Sequence, residues 1–232
     1  MTKEIIVSSD TFGEGWTKQN RNNTELFNNT GDLNYLSNYD TWELALADIG
    51  TTEITLTVDV PMVLTGNITI PSTLSLNWAS GAVTNGAYTF DINGNLTAGL
   101  YQLFGDTVTV TGDPKLPAIV PEWWKDSSHS DDTESLQAAI YFWMAQNQHS
   151  ILQGSKTYNI SSELDVVFMS SMAYMKKMKD FTFTGSIVGN MMHIGSGASG
   201  SYVRNLAFSD LHFKNYQGVP GSGLVADAGS CL

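Results

Sequence analysis

Between Ile54 and Val110 the chain alternates apolar and polar residues with a period of two, in short runs that suit strands. "ITLTVDV" puts Ile54, Leu56 and Val58 on one face, "NITI" adds Ile68 and Ile70, and "TLSLNW" adds Leu74, Leu76 and Trp78. Phe90 and Ile92, then Val108 and Val110, continue the pattern, with Thr as the usual outward residue and Gly, Asn and Pro71 between runs. Many short strands can pair in two ways. A β-sandwich would use hairpins, for which Asn85-Gly86 and Asn93-Gly94 are candidate turns. A β-solenoid would instead bend the chain so that each strand covers the next. The alternation over residues 51–112 fits both.

One helix interrupts this pattern. In "VPEWWKDSSHSDDTESLQAAIYFWMAQ", Val120 to Gln146, Asp131 is the expected N-cap and Glu134 follows three residues on, as in a capping box. Asp132 adds negative charge at the positive end of the helix dipole. Leu136, Ala139, Ile140, Trp143 and Met144 then make one apolar face. A solenoid has an open end that an amphipathic helix can cover. The expected role is therefore a lid on a β-helix that starts near Gln153. A shorter helix is expected over "TWELALADIG", with Trp42, Leu46 and Ile49 on one face and Gly50 ending it.

Beyond the helix, Phe181 and Phe183 recur as Leu206 and Phe208, and Lys179-Asp180 recurs as Arg204-Asn205. The offset predicts a repeat of about 25 residues, with the four apolar side chains in one internal ladder. The same offset would set Asp180 beside Asn205.

Residues 1–37 differ in character. Phe12, Trp16, Leu26 and Phe27 are widely spaced among Gly and Asn, which weaken any helix from Trp16 to Phe27. The segment is too polar to fold alone, and its large apolar groups suit docking against a partner. Three regions are expected: 1–37, a docking segment; 38–118, β-rich; and 119–232, the cap helix and a short parallel β-helix.

The formal net charge of −12 argues against nucleic acid as a partner. Lys176, Lys177 and Lys179 are the only basic cluster and are expected in a solvated turn. The single cysteine, Cys231, allows no intrachain disulfide. "MTKEIIVSSDTF" lacks the apolar core of a signal peptide, and no run approaches membrane-span length. Neither Sec export nor membrane insertion is expected. Triplets such as Asn67-Ile68-Thr69 and Asn159-Ile160-Ser161 then reflect an Asn/Thr-rich β composition and not glycosylation.

"VPEWW", "DDTESLQAAI" and "GSKTYNISSEL" together resemble the opening of the pectate-lyase-like superfamily of right-handed parallel β-helices. "FDINGNLTAGLYQLFG" is similar to the segment ahead of that opening in bacteriophage tailspike and tail-fibre proteins, and "SSDTFGEGWTKQNRNNTELFN" to the start of phage tail appendages. The likeness spans about residues 8–30 and 88–165. It departs in the loop, where "KDSSHS" replaces a Gly-Asp-Gly turn, and in the link "QNQHSIL". The resemblance implies a mainly β chain, with a right-handed parallel β-helix and its N-terminal cap helix. It also implies a virion protein, a tail spike or tail fibre for host-surface attachment, in which residues 1–37 dock to other tail or adaptor proteins. A homotrimer follows from the same likeness, with bacterial surface polysaccharide as a candidate ligand.

The alternative is a polysaccharide lyase or glycoside hydrolase of that superfamily. Such chemistry needs two carboxyl groups about 5–10 Å apart. Glu163, Asp165, Asp180 and Asp210 are the candidates, and no catalytic residue is assigned. About 80 residues follow Gln153, enough for about three turns and few for a substrate groove, so the expectation leans away from an enzyme. Asp131 and Asp132 read as helix caps. Trp123 and Trp124 read as filling the helix junction and not as sugar platforms. His193 and His212 are the nearest approach to a metal pair, and neither metal nor cofactor is expected.

Overall fold

The first helix, α1 (Trp42–Ile49), starts where Thr41 turns extended and its hydroxyl accepts the Leu44 N–H at 3.3 Å. It ends at Gly50, whose φ of 61° suits glycine. Trp42, Ala45 and Ile49 are buried. The computed structural model describes residues 34–168, 175–185, 187, 190–196, 206–214 and 224–226. From Tyr35 on, these belong to one compact unit. Phe12, Trp16, Leu26 and Phe27 lie outside the described residues.

The strands are β1 (Asn34–Tyr35), β2 (Ile54–Val58), β3 (Met62–Val63), β4 (Ile68–Ile70), β5 (Leu74–Trp78), β6 (Thr84–Asn85), β7 (Thr89–Ile92), β8 (Leu96–Thr97) and β9 (Thr109–Thr111). After helix α2 (Thr133–Ala145) come β10 (Ser150–Gln153), β11 (Thr157–Asn159), β12 (Leu164–Phe168), β13 (Lys176–Thr184), β14 (Met192–Ser196), β15 (Leu206–Lys214) and β16 (Leu224–Ala226). The fold is mainly β.

Pairing tests the hairpin arrangement open to residues 51–112. From β2 onward, every strand pairing among the described residues is parallel. Before α2 the strands from β2 onward fall into three sheets, β2-β5-β8, β3-β6 and β4-β7-β9. Ile54 pairs with Leu74, Met62 with Thr84 and Ile68 with Phe90, so three successive strands each meet a partner from the next pass of the chain. The hairpin reading therefore fails for these strands. Asn85-Gly86 and Asn93-Gly94 join strands of different sheets, not antiparallel neighbours.

The period-two pattern holds for most strands, although Ile54 and Val110 are half-buried and Val108 precedes β9. Leu56, Val58, Leu74, Leu76, Trp78, Phe90 and Ile92 are all buried, with polar residues between them. Close approach between successive layers needs glycine at some bends. Gly112 has a φ of 95°, and a Cβ there would overlap the Ile92 carbonyl oxygen.

After α2, β10 and β11 both pair with β13, which pairs with β15, while β12, β14 and β16 form a second sheet. Met178 pairs with Phe208, Phe181 with Leu211, and Phe183 with Phe213. The repeat across β13 and β15 is thus longer than the one expected from matching Phe181 to Leu206 and Phe183 to Phe208. The loops between strands have unequal lengths, so local sequence similarity misjudges the register. The four side chains of the expected ladder do face the core, but with other partners. Phe183 stacks between Phe181 and Phe213, each 5.3 Å away.

Helix α2 packs into the same core as α1. Rings run in sequence from Trp42 to Phe90 at 4.9 Å, from Phe90 to Phe104 at 6.3 Å, from Phe104 to Trp124 at 5.4 Å, and from Trp124 to Phe142 on α2 at 5.6 Å. The core is therefore continuous from α1 to α2. The buried arc of α2 includes Ser135 and Phe142 as well as Leu136, Ala139, Ile140 and Trp143, while Met144 is half-buried. Parallel sheets lie on both sides of α2 in sequence, so this pairing does not first begin near Gln153.

Candidate functional site

The polar residues at the start of α2 finish the exposed edge of the strands that follow. The backbone N–H of Asp132 donates to the Asn159 carbonyl at 2.7 Å, and the Asn159 N–H returns a bond to Asp132 Oδ2 at 2.9 Å. Thr133 Oγ1 accepts from the Ser161 N–H at 2.9 Å. The Gln137 side-chain amide donates to the Asp165 carbonyl and accepts its N–H, both at 2.8 Å. The helix thus stands in for a missing strand, supplying the bonds that an open sheet edge would lack.

Asp131 is not the N-cap. That position is Asp132, and the helix begins at Thr133. Asp131 Oδ1 still accepts the Thr133 N–H at 2.8 Å, so it serves the helix start from one residue further out. Asp132, a buried carboxylate, faces Lys156 at 2.9 Å and Lys125 at 3.4 Å. Burial alone would raise its titration, but Lys156, the Asn159 N–H and Lys125 outweigh that and hold it below the ordinary range. Both acids are accounted for by structure.

The Glu-Trp-Trp segment is also structural. Trp123 and Trp124 are 3 % and 5 % exposed, too covered to stack on a sugar ring. Glu122 Oε1 accepts from Tyr158 Oη at 2.7 Å and from Ser155 Oγ at 2.5 Å, tying the 3-10 turn Pro121–Trp124 to the first strands after α2. Burial raises the Tyr158 phenol above its ordinary range, and the Glu122 charge adds to the shift.

Lys176 corrects another expectation. It lies in β13, 1 % exposed, and donates to the Gln146 carbonyl at 2.6 Å, the Gln148 carbonyl at 3.2 Å and Ser150 Oγ at 3.0 Å. Its ammonium clamps the turn that leaves α2. Burial pushes its titration down to about 8.

The carboxylates named from sequence divide between two places. Glu163, Asp165 and His193 form one cluster whose ligand-type atoms lie within 4.8 Å of one another. Asp165 pairs in register with His193, and His193 Nδ1 lies 3.4 Å from Asp165 Oδ1. The Asp165 side chain is 48 % exposed, so it points outward as a strand acid can without penalty. His212 is registered with Thr182 in the other sheet and does not join His193.

The second place is the bend in β13 and β15. Lys179 pairs with Ser209 and Phe181 with Leu211, which puts Asp180 opposite Asp210 and not opposite Asn205. Both aspartates are exposed and both have positive φ, 63° and 55°. Adjacent strands are about 4.8 Å apart, so two carboxylates project from neighbouring positions of one surface. Such a pair could hold a cation or flank a glycosidic bond. Sequence reasoning missed it because the expected repeat pointed elsewhere. Among the described residues, no helix is long and apolar enough to cross a membrane. Comparison with family models, with curated proteins and with solved structures returned no match.

Proposed function

We propose that this chain is a structural component of a phage virion, a tail spike or tail fibre that takes part in host-surface attachment. In this reading its strands wind as a right-handed parallel β-helix, with α2 closing the edge of the later turns. The observation that carries the proposal is the repeated parallel register. Ile54 with Leu74 and Ile68 with Phe90 before α2, then Tyr158 with Phe183 and Met192 with Leu224 after it, all pair in parallel. Long parallel stacking of this kind suits a rigid, elongated surface appendage. The sequence likeness to tailspike openings supports the same role, with residues 1–37 as the docking segment and a homotrimer as the assembly.

Antibodies against the chain test this directly. They should label the tails of purified particles, and recombinant chain should bind host cells. Finding the protein only in infected-cell extract, and never on particles, would overturn the reading.

A second reading, a carbohydrate-active enzyme, is favoured by one observation. Asp180 and Asp210 sit at matched positions of adjacent strands, whose backbones lie about 4.8 Å apart, so their carboxyl groups are within reach of one glycosidic bond. Shortening of bacterial surface polysaccharide by the wild type, lost in Asp180→Asn and Asp210→Asn, would establish it. Unchanged polymer length with wild type would reject it.

A further inference from the structure

His129 stands out in the loop between the Pro121–Trp124 turn and α2. Its side chain is 7 % exposed, yet neither ring nitrogen has a hydrogen-bond partner. Nε2 nevertheless lies 2.8 Å from Glu134 Oε2 and 3.0 Å from Asp106 Oδ1. These contacts have the distance of hydrogen bonds without the alignment, and one N–H could not serve both oxygens in any case.

The three side chains come from separate segments. Asp106 follows Gly105 in a turn before β9, His129 closes the 126–129 turn, and Glu134 is the second residue of α2. The 126–129 turn is pinned independently: Asp126 Oδ1 accepts the Ser128 N–H at 2.7 Å, and Gln102 Nε2 donates to Asp126 Oδ2 at 3.2 Å. Those bonds hold Asp126 well below the ordinary carboxylate range, at about 2. His129 is thus presented by a rigid turn and not by a free loop.

We propose that Asp106, His129 and Glu134 bind a borderline divalent cation, with Zn²⁺ the best fit. Ligands about 2.0–2.2 Å from one tetrahedral Zn²⁺ lie about 3.4 Å from each other. The Nε2–oxygen separations of 3.0 and 2.8 Å are about half an ångström short of that spacing, a gap the exposed carboxylates can open, and all three ligand atoms lie within 4.8 Å of one another. A cation between them explains why the oxygens sit off the imidazole N–H axis. One imidazole with two carboxylates suits Zn²⁺ or Mn²⁺, whereas Ca²⁺ and Mg²⁺ prefer oxygen alone. Asp106 and Glu134 are 46 % and 73 % exposed, so the ion can enter from solvent and complete its shell with water. The site joins the last turn before β9 to the first turn of α2. Its role is to lock the helix onto the preceding sheets.

The test uses the full chain, stripped with EDTA and titrated with Zn²⁺ by calorimetry, with the thermal transition followed in parallel. Wild type should bind with a Kd in the micromolar range or tighter and melt higher at saturating Zn²⁺. His129→Ala should lose that binding. Glu134→Gln, at an exposed position that leaves the fold intact, should weaken it at least tenfold and reduce the thermal shift. His193→Ala should change neither, because the cluster of Glu163, Asp165 and His193 is separate in sequence and in sheet. No Zn²⁺-dependent shift in wild type would overturn the proposal. So would binding that survives both His129→Ala and Glu134→Gln.

Discussion

Asp180 and Asp210 occupy matched positions on adjacent parallel strands, and both take a left-handed backbone conformation, with φ of 63° and 55°. That conformation is unfavourable for most side chains by about 1–2 kcal/mol, and least so for Gly, Asn and Asp. Like charges facing each other across a sheet add to the cost. Two contacts partly offset it: Gln153 Nε2 donates to Asp180 Oδ2 at 3.1 Å, and Lys179 Nζ lies 3.5 Å from the same oxygen. Asp180→Asn should leave stability unchanged or raise it slightly, because it keeps the backbone preference and removes one charge. Asp180→Val should lower it by about 1–2 kcal/mol. Denaturant midpoints check both, and a Val variant as stable as wild type would show that the bend is not strained.

The Phe183 ring lies between Phe181 and Phe213, fully buried. Phe183→Ala should cost about 3–5 kcal/mol, the range for deleting a buried aromatic. Phe213 and Phe208 are only half-buried at this edge, so truncating either should cost clearly less. Equal losses at 183 and 208 would contradict the observed difference in burial.

These residues show where sequence was informative. Inward and outward positions of the strands could be read directly, because a period of two is a local property that packing only confirms. Both helices were marked by their apolar faces, although the N-cap of α2 is Asp132 and not the expected Asp131. Register was not local. It depends on loop lengths, so the similarity of "DFTF" to "NLAF" matched Phe183 to Phe208, where pairing joins it to Phe213. Partners supplied by distant backbone were also hidden. Nothing near Lys176 in sequence announces that its ammonium will meet the carbonyls of Gln146 and Gln148. The acid and imidazole groups around His129 were individually visible, but only folding brings the 106 turn to the helix start.

Asp132 should matter more than Asp131. It binds Lys156 and the Asn159 N–H from a buried position, while Asp131 chiefly serves the Thr133 N–H. Asp131→Asn should be nearly neutral, since the amide oxygen still accepts. Asp132→Ala should cost about 1–3 kcal/mol by leaving a strand-edge N–H unpaired. Because the folded Asp132 titrates below its unfolded value, its contribution is complete above about pH 4 and is lost on acidification through the folded value. Acid unfolding of Asp132→Ala should therefore start from lower stability but show a shallower pH dependence below about pH 4. Identical acid profiles for wild type and variant would refute the assignment.

Lys176 predicts a rise of stability with pH as well, in an alkaline window. Its folded titration is lowered from 10.5 to about 8, so between those values the unfolded chain binds more protons than the folded one. Stability from this group should rise with pH in that window, and the full penalty of burying the charge is present below about pH 8. The expected gain between about pH 7 and pH 9.5 is roughly 2 kcal/mol, at about 1.4 kcal/mol for each unit of differential titration. Tyr39 works the other way at higher pH, because burial and its bond to Asp48 push its phenol up to about 12. Measurements should therefore stop near about pH 9.5 and be referred to Lys176→Met, which keeps the tyrosine contribution and removes the lysine one. Lys176→Met also leaves the Gln146 and Gln148 carbonyls without their donor, so its absolute stability is not the readout. The difference in slope is. Urea midpoints for wild type should climb relative to the variant from about pH 8 to pH 9.5, and parallel curves would mean that the buried ammonium is no stronger an acid than lysine in water.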